Sequence, residues 1–186
     1  MRIGVISDTH GSLQAWQRAM ERCFGGADLI VHAGDICYHG VRNPMPAGYE
    51  PLRLAEALNG CPVPLLVCRG NCDSEVDQLA IDLPILSPCL LLELEGVRVL
   101  VHHGHRFSEE EVERLVGRWG LGVVISGHTH VPRLERRGKV LLFNPGSPAL
   151  PKGEEGPTVG TLEVSRGRVV ARLHELEGGS VLRELA

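Results

Sequence analysis

Arg2-Ile3-Gly4-Val5-Ile6-Ser7-Asp8-Thr9-His10-Gly11 opens the chain with a short apolar run that passes directly into a carboxylate and an imidazole. The run has the length and composition of a buried strand, so Asp8 and His10 fall at its C-terminal end. Downstream, Leu13, Trp16, Met20 and Cys23 recur at helical spacing, with Ser12 placed to cap the helix. Leu29-Ile30-Val31-His32 then repeats the apolar pattern and runs into Gly34-Asp35. A second helix is predicted around Leu52, Ala55 and Leu58, and a third strand over Pro64 to Cys68, just before Gly70-Asn71-Cys72-Asp73. Strands alternating with helices are the mark of βαβ units, which makes this an α/β chain with a largely parallel sheet in its first half.

From about Pro88 the pattern becomes richer in strands. Glu95-Gly96, Arg137-Gly138 and Arg166-Gly167 read as two-residue hairpin turns. Between the first two, Ser108 and Glu111 form a capping box ahead of a helix that carries Val112, Leu115, Val116 and Trp119 on one face. Leu121 to Ser126 is a further buried strand. Neither a repeat nor a linker interrupts the chain, so residues 1–186 are expected to form a single domain. Two loops stand out, His39 to Tyr49 and Pro145 to Gly156; the second ends in Lys152-Gly153-Glu154-Glu155-Gly156, which reads as flexible.

Composition narrows the function classes. With 186 residues, 43% hydrophobic and 23% charged, the chain can bury an ordinary core, and its 23 glycines suggest many tight loops. The net charge is −4, and basic residues cluster only at Arg133 and Arg136 to Lys139, so no dedicated nucleic-acid groove is expected. No apolar run reaches the length of a membrane span, and the first strand is too short for a signal-peptide core. Six cysteines without a Cys-x-x-Cys pair suit a reduced, cytoplasmic protein with mostly structural thiols.

The chemistry gathers at the strand ends. Asp8-Thr9-His10-Gly11, Gly34-Asp35, Gly70-Asn71-Cys72-Asp73, His102-His103-Gly104-His105 and Gly127-His128-Thr129-His130 each follow an apolar strand. Open α/β sheets collect their ligands at that edge. Taken singly these motifs have plain structural uses: Asp8-Thr9 makes a turn, and Asn71 or Asp73 caps one. Clustered histidines after buried strands are harder to explain as packing. Together they supply a mixed nitrogen and oxygen set suited to Mn, Fe, Co, Ni or Zn and not to Ca. Seven such ligands exceed the needs of one tetrahedral ion, whereas one shared carboxylate divides them into two sites of four. No Gly-x-Gly-x-x-Gly, Walker-type or Gly-x-Ser-x-Gly motif is present, and a thiol enzyme built on Cys72 leaves the other ligands idle.

This ordered set resembles the calcineurin-like metallophosphoesterases, whose pattern is Asp-x-His, Gly-Asp, Gly-Asn-x-Asp/Glu, His-Gly and Gly-His-x-His. Within that superfamily the chain looks most like small bacterial phosphodiesterases of the YfcE type, through Gly70 to Asp77, His39-Gly40, Arg42-Asn43, Tyr49 and Asn144-Pro145-Gly146-Ser147. The resemblance implies a four-layer α/β/β/α sandwich and two divalent ions, Mn²⁺ first among them, with Zn²⁺, Fe²⁺, Ni²⁺ or Co²⁺ as alternatives. Carried over by motif, Asp8, His10, Asp35 and His130 would hold the first ion, and Asp35, Asn71, His103 and His128 the second. His103 is taken in preference to His102 or His105 because it precedes Gly104. The implied reaction is hydrolysis of a small phosphodiester by in-line attack of a metal-bridged hydroxide, with Asp8, Asp35, Asn71 and His103 as the catalytic core. Two divalent ions, two carboxylates and a hydroxide leave one positive charge, which a diester monoanion neutralises and a monoester dianion overshoots. Cys72 stands where many relatives carry a histidine able to act as general acid, so activated aryl diesters are expected to be better substrates than alkyl monoesters. Arg42, Asn43, Cys72 and His105 are candidate substrate contacts. A non-catalytic interaction scaffold on the same fold, as in the retromer subunit that resembles these enzymes, is the alternative. A nuclease on this core is disfavoured by the missing basic groove, and the composition is compatible with a homo-oligomer.

Overall fold

The computed structural model describes residues 1–186. Its first half follows the alternation of the sequence: β1 (Arg2–Ile6), α1 (Leu13–Arg22), β2 (Leu29–His32), α2 (Pro51–Asn59) and β3 (Leu65–Val67). β1 pairs in parallel with β2, and β2 with β3. The Ser12 side chain accepts a hydrogen bond from the Ala15 N–H and so caps α1, which buries Leu13, Ala15, Trp16 and Ala19. Proline in the first turn starts α2, whose buried face is Leu54, Ala55 and Leu58, while Leu52 is 65% exposed. A single-turn helix, α3 (Glu75–Gln78), is closed by a Ser74/Asp77 capping box and was not legible as an apolar stripe.

The second half contains β4 (Cys89–Leu94), β5 (Val97–His102), α4 (Glu109–Trp119), β6 (Val123–Ile125), β7 (Arg133–Arg137), β8 (Val140–Asn144), β9 (Thr158–Ser165), β10 (Arg168–Glu175) and β11 (Val181–Leu185). Two predicted turns are found where expected, with both central residues in the left-handed region at Glu95-Gly96 and Arg166-Gly167. The third lies one residue later. Arg137 is paired with Val140, so the turn is Gly138-Lys139, with positive φ only at its first position.

The strands form a six-stranded sheet in the order β11-β10-β9-β1-β2-β3 and a five-stranded sheet in the order β4-β5-β6-β8-β7. Strand alternation sorts their side chains into layers. Ile3, Val5, Val31, Val99, Val101, Val123, Ile125, Leu141, Phe143 and Leu162 face the space between the sheets and form one buried cluster. Ile6 and Ile30 join Trp16, Ala19, Leu54 and Leu58 beneath α1 and α2. On the far side Leu100, Val124 and Val140 meet the Val112, Leu115, Val116 and Trp119 face of α4. The architecture is therefore the α/β/β/α sandwich.

One inter-sheet contact has no room to spare. A Cβ built on Gly160 of β9 would lie well inside van der Waals contact with the Phe143 ring of β8. Gly160→Ala should therefore cost about 1–3 kcal/mol of stability through overpacking. Gly25, which has nothing within 4 Å of a built Cβ, supplies the control substitution. Equal denaturation midpoints for the two alanine variants would show that the sheets yield at this point.

Candidate metal centre

The C-terminal ends of β1, β2, β3, β5 and β6 run into the five motif loops, and both sheets present these loops at one edge. Asp8, His10, Asp35, His128 and His130 all have φ between 45° and 70°. The only other non-glycine residues with positive φ are Glu95 and Arg166 in the hairpin turns. Side chains other than glycine avoid this region, so five such residues in one place mark a backbone held against its preference.

What holds it is a set of buried polar contacts. The Asp73 carboxylate accepts from the Asp35 N–H (2.9 Å), the Ile36 N–H (2.8 Å) and the Gly70 N–H (2.7 Å), tying the second and third loops together. Gly70 lies against Asp35 so closely that a Cβ there would overlap the Asp35 side chain and its backbone nitrogen. His32, fully buried, accepts from the Gly34 N–H at Nδ1 and meets the Thr9 hydroxyl at 2.9 Å through Nε2. Ser147 donates to the Asp8 carbonyl at 2.8 Å and accepts from the Ala149 and Leu150 N–H groups. The Asn144 amide donates to the Gly127 carbonyl (2.8 Å) and the Thr129 hydroxyl (3.1 Å). The loop from Pro145 is thus anchored beneath the site by Ser147, and the Lys152 N–H, at the start of the tail expected to be flexible, donates to the His130 carbonyl at 3.0 Å.

The side chains so positioned converge on a buried centre. Asp8 Oδ2 accepts from Ser7 Oγ (2.5 Å) and the His128 N–H (3.0 Å), while Oδ1 is buried with no hydrogen-bond partner. Around that oxygen stand the Nε2 atoms of His130 at 3.3 Å, His10 at 3.7 Å and His103 at 3.9 Å. Each of these imidazoles has its Nδ1 committed to a backbone carbonyl: His10 to Tyr38 (2.7 Å), His103 to Ala33 (2.8 Å) and His130 to Leu150 (2.6 Å). Protonation at Nδ1 leaves Nε2 with its lone pair turned inward, the arrangement of a metal-ligating histidine. His10 and His130 bring their Nε2 atoms to 3.1 Å of each other, a separation that two lone pairs do not hold without a proton or cation. Asp35 Oδ2 lies 3.3 Å from His103 Nε2 and 3.8 Å from His10 Nε2.

Protons respond to this crowding. Burial alone would raise the two carboxyls, but the imidazoles against them hold Asp8 far below and Asp35 below the usual carboxylate range. Burial opposes charge on His103, yet Asp35 and Asp8 outweigh it and push the imidazole up to about 9. A cation bound at this Nε2 would therefore compete with a proton. The orphaned carboxylate oxygen and the inward Nε2 atoms fit divalent ions of borderline hardness.

Asp8, His10 and His130 form one group of ligand atoms within 4.8 Å, Asp8, Asp35 and His103 a second, and His10, Asp35 and Cys72 a third. The Asn71 side-chain oxygen is 3.1 Å from His103 Nε2. His128 is exposed and stands outside these groups, its ring 5.1 Å from that of His103. His102 points to the other face of β5, against Phe107. His105 is 5.3 Å from His103, ring to ring, and its Nε2 accepts from Arg106. A cavity of about 740 Å³ opens over the centre, and Arg42, Asn43, Asn71, Cys72 and His128 line it, whereas His105 does not. Burial, reinforced by Asp35, pushes the Cys72 thiol up to about 12. Two participants escaped the sequence reading: Asp73, whose cap-like appearance hid three buried hydrogen bonds, and Lys152, which lines the cavity from a stretch without a motif.

Comparison with known proteins gives this geometry its context. Residues 1–167 match the model of the calcineurin-like phosphoesterase superfamily domain. The chain is 39% identical over 187 residues to the protein named phosphodiesterase YfcE of Escherichia coli, covering 100% of this chain and 98% of that one. A solved structure of that E. coli phosphoesterase superposes with a TM-score of 0.87 at 37% identity, over 100% of this chain and 99% of the other. Vacuolar protein sorting 29 from Cryptosporidium parvum shares the fold, with a TM-score of 0.72 at 15% identity over 100% and 97% of the two chains. With its five motif loops closed around one buried carboxylate centre and a match to the family along most of its length, the chain belongs to the calcineurin-like phosphoesterase superfamily.

Proposed function

We propose that this chain is a dinuclear metal-dependent phosphodiesterase that hydrolyses small phosphodiesters. The observation that carries this reading is the Asp8 Oδ1 atom, buried without a partner and ringed by three inward Nε2 atoms, with Asp35 Oδ2 beside them. Asp8, His10, Asp35 and His130 would hold the first ion, and Asp35, Asn71, His103 and His128 the second, with Asp35 common to both sets. His128, exposed on the cavity lining and outside the buried ligand groups, would join the second set from the rim. Ions bound there supply a water nucleophile of lowered pKa and Lewis-acid stabilisation of the phosphoryl oxygens. The protein's own work is placement: Asp73 fixes the loop that carries Asp35, and backbone carbonyls fix the three imidazoles. The chain needs no nucleophile of its own, and the Cys72 thiol, pushed up to about 12, is a much poorer general acid near neutral pH than a histidine would be. Departure therefore rests on the leaving group's acidity, which favours aryl over alkyl esters. Arg42, Asn43 and Cys72 line the cavity wall and would contact substrate there, whereas His105 lies off that wall. Residues 1–186 act as one catalytic unit. Six free thiols support a reducing, cytoplasmic setting, and the mixed oxygen and nitrogen donors support Mn²⁺. No helix is long and apolar enough to cross a membrane.

Two outcomes follow. Metal-stripped protein given Mn²⁺ should hydrolyse bis(4-nitrophenyl) phosphate at least about tenfold faster than 4-nitrophenyl phosphate, and His103→Ala should lose about 100-fold or more of the diester rate. Folded protein without turnover under any divalent ion would return the weight to a scaffold. Secondly, the proton on His103 must leave before a metal binds. Mn²⁺ affinity should therefore rise with pH up to about 9 and level off above it. Calorimetry at pH 7 in buffers of different ionisation enthalpy should record proton release on binding.

A further inference from the structure

Two cations face the cavity over the centre, Arg42 and Lys152, and Asp35 is the only carboxylate on its wall. They come from different loops, and both loops are built. Around Arg42, the Asn43 amide donates to the His39 carbonyl at 2.8 Å, and the His39 ring is set edge-on against Tyr38 and Tyr49. Gly40 rests against the Cys72 sulfur, with 3.4 Å from a built Cβ. Beside Lys152, its own N–H holds the His130 carbonyl, and the fully buried Ser147 anchors the loop to the Asp8 carbonyl.

Charge makes these two residues informative. On the reading proposed above, the four positive charges of two divalent ions are met by Asp8, Asp35, the nucleophile and a diester monoanion. The centre closes at neutrality, and Arg42 and Lys152 remain outside the balance. Several cations are paired with carboxylates, such as Arg133 and Arg137 with Glu109 and Glu135, Arg172 with Glu163 and Glu184, and Arg183 with Glu155, while others on the outer surface, such as Arg118 and Arg168, have no such partner. What distinguishes Arg42 and Lys152 is their place together on the cavity wall. A chain of net charge −4 has carboxylates to spare, yet the cavity wall offers these two cations none beyond Asp35.

We infer that Arg42 and Lys152 form an anion subsite, and that the substrate is a phosphodiester carrying a second anionic group on the part of the molecule beyond the scissile phosphate. A phosphate or a carboxylate satisfies this chemistry: the guanidinium takes either in a two-pronged contact, and the ammonium meets it as a point charge. The inference rests on the phosphodiesterase reading and sharpens its substrate class.

The test compares three 4-nitrophenyl phosphodiesters in which the second alcohol is uncharged, bears a carboxylate or bears a phosphate. With Mn²⁺ present, kcat/KM for the charged substrates should exceed that for the uncharged one by about tenfold, mainly through KM. The carboxylate and phosphate arms identify which anion is preferred. Arg42→Met and Lys152→Met should each shrink the preference several-fold, and the double variant should abolish it. Raising salt from about 0.05 to about 0.5 M should weaken the preference in the parent protein. Calorimetric titration with the matching uncleavable phosphonates should give the same ranking without turnover. A charge preference that is absent in the parent, or that survives in the double variant, overturns the subsite while the uncharged diester is still cleaved. Failure to cleave or bind any of the three overturns the phosphodiesterase reading itself.

Discussion

The packing of one sheet on the other sets the distance between groups that the chain supplies far apart. Asp8, Asp35 and Asn71 arrive on the sheet that contains β1, β2 and β3, while His103 and His128 arrive on the sheet that contains β5 and β6. Hydrogen bonds span the seam at its working edge: His103 Nδ1 to the Ala33 carbonyl, and the His128 N–H to Asp8 Oδ2. Gly127 fits there because a Cβ would strike Ser7 and Asp8. The inter-sheet core of Ile3, Val5, Val101, Ile125 and Phe143 is therefore part of the site's geometry, since any change in sheet spacing moves one half of the ligands against the other.

Local costs concentrate where the ligands sit. Left-handed backbone at five non-glycine residues and a buried carboxylate oxygen without a partner each oppose folding. Their persistence depends on surroundings that over-determine them, namely the three N–H groups on Asp73, the His32 and Thr9 pair, and Ser147 under Asp8. These residues touch no substrate in the proposed reaction, yet they stop the loops from relaxing into ordinary turns.

The open cavity above the centre is built differently. Its floor is buried and rigidly hydrogen-bonded, whereas its walls come from two loops with exposed side chains such as Tyr38, Arg42 and Lys152. That division suits a constant chemistry with adjustable selectivity, because loop side chains can change without disturbing the imidazoles held from behind.

By itself the sequence determined the βαβ order, the hairpin-rich second half and the seven polar residues at strand ends. Apolar periodicity and turn chemistry are local properties, and ligand-type residues after buried strands have few other uses. Its errors were local too, such as the turn at Gly138-Lys139, whose one-residue offset is decided by strand register. Tertiary structure alone decided the rest. The motif already favoured His103 over His102, but the reason for it, His102 packed against Phe107 and His103 tied to the Ala33 carbonyl, is visible only in the packing. The three-fold acceptor role of Asp73 and the presence of Lys152 on the cavity wall depend on loops meeting across long separations in sequence. Spacing along a chain records which face a side chain can occupy, and only packing records what it faces.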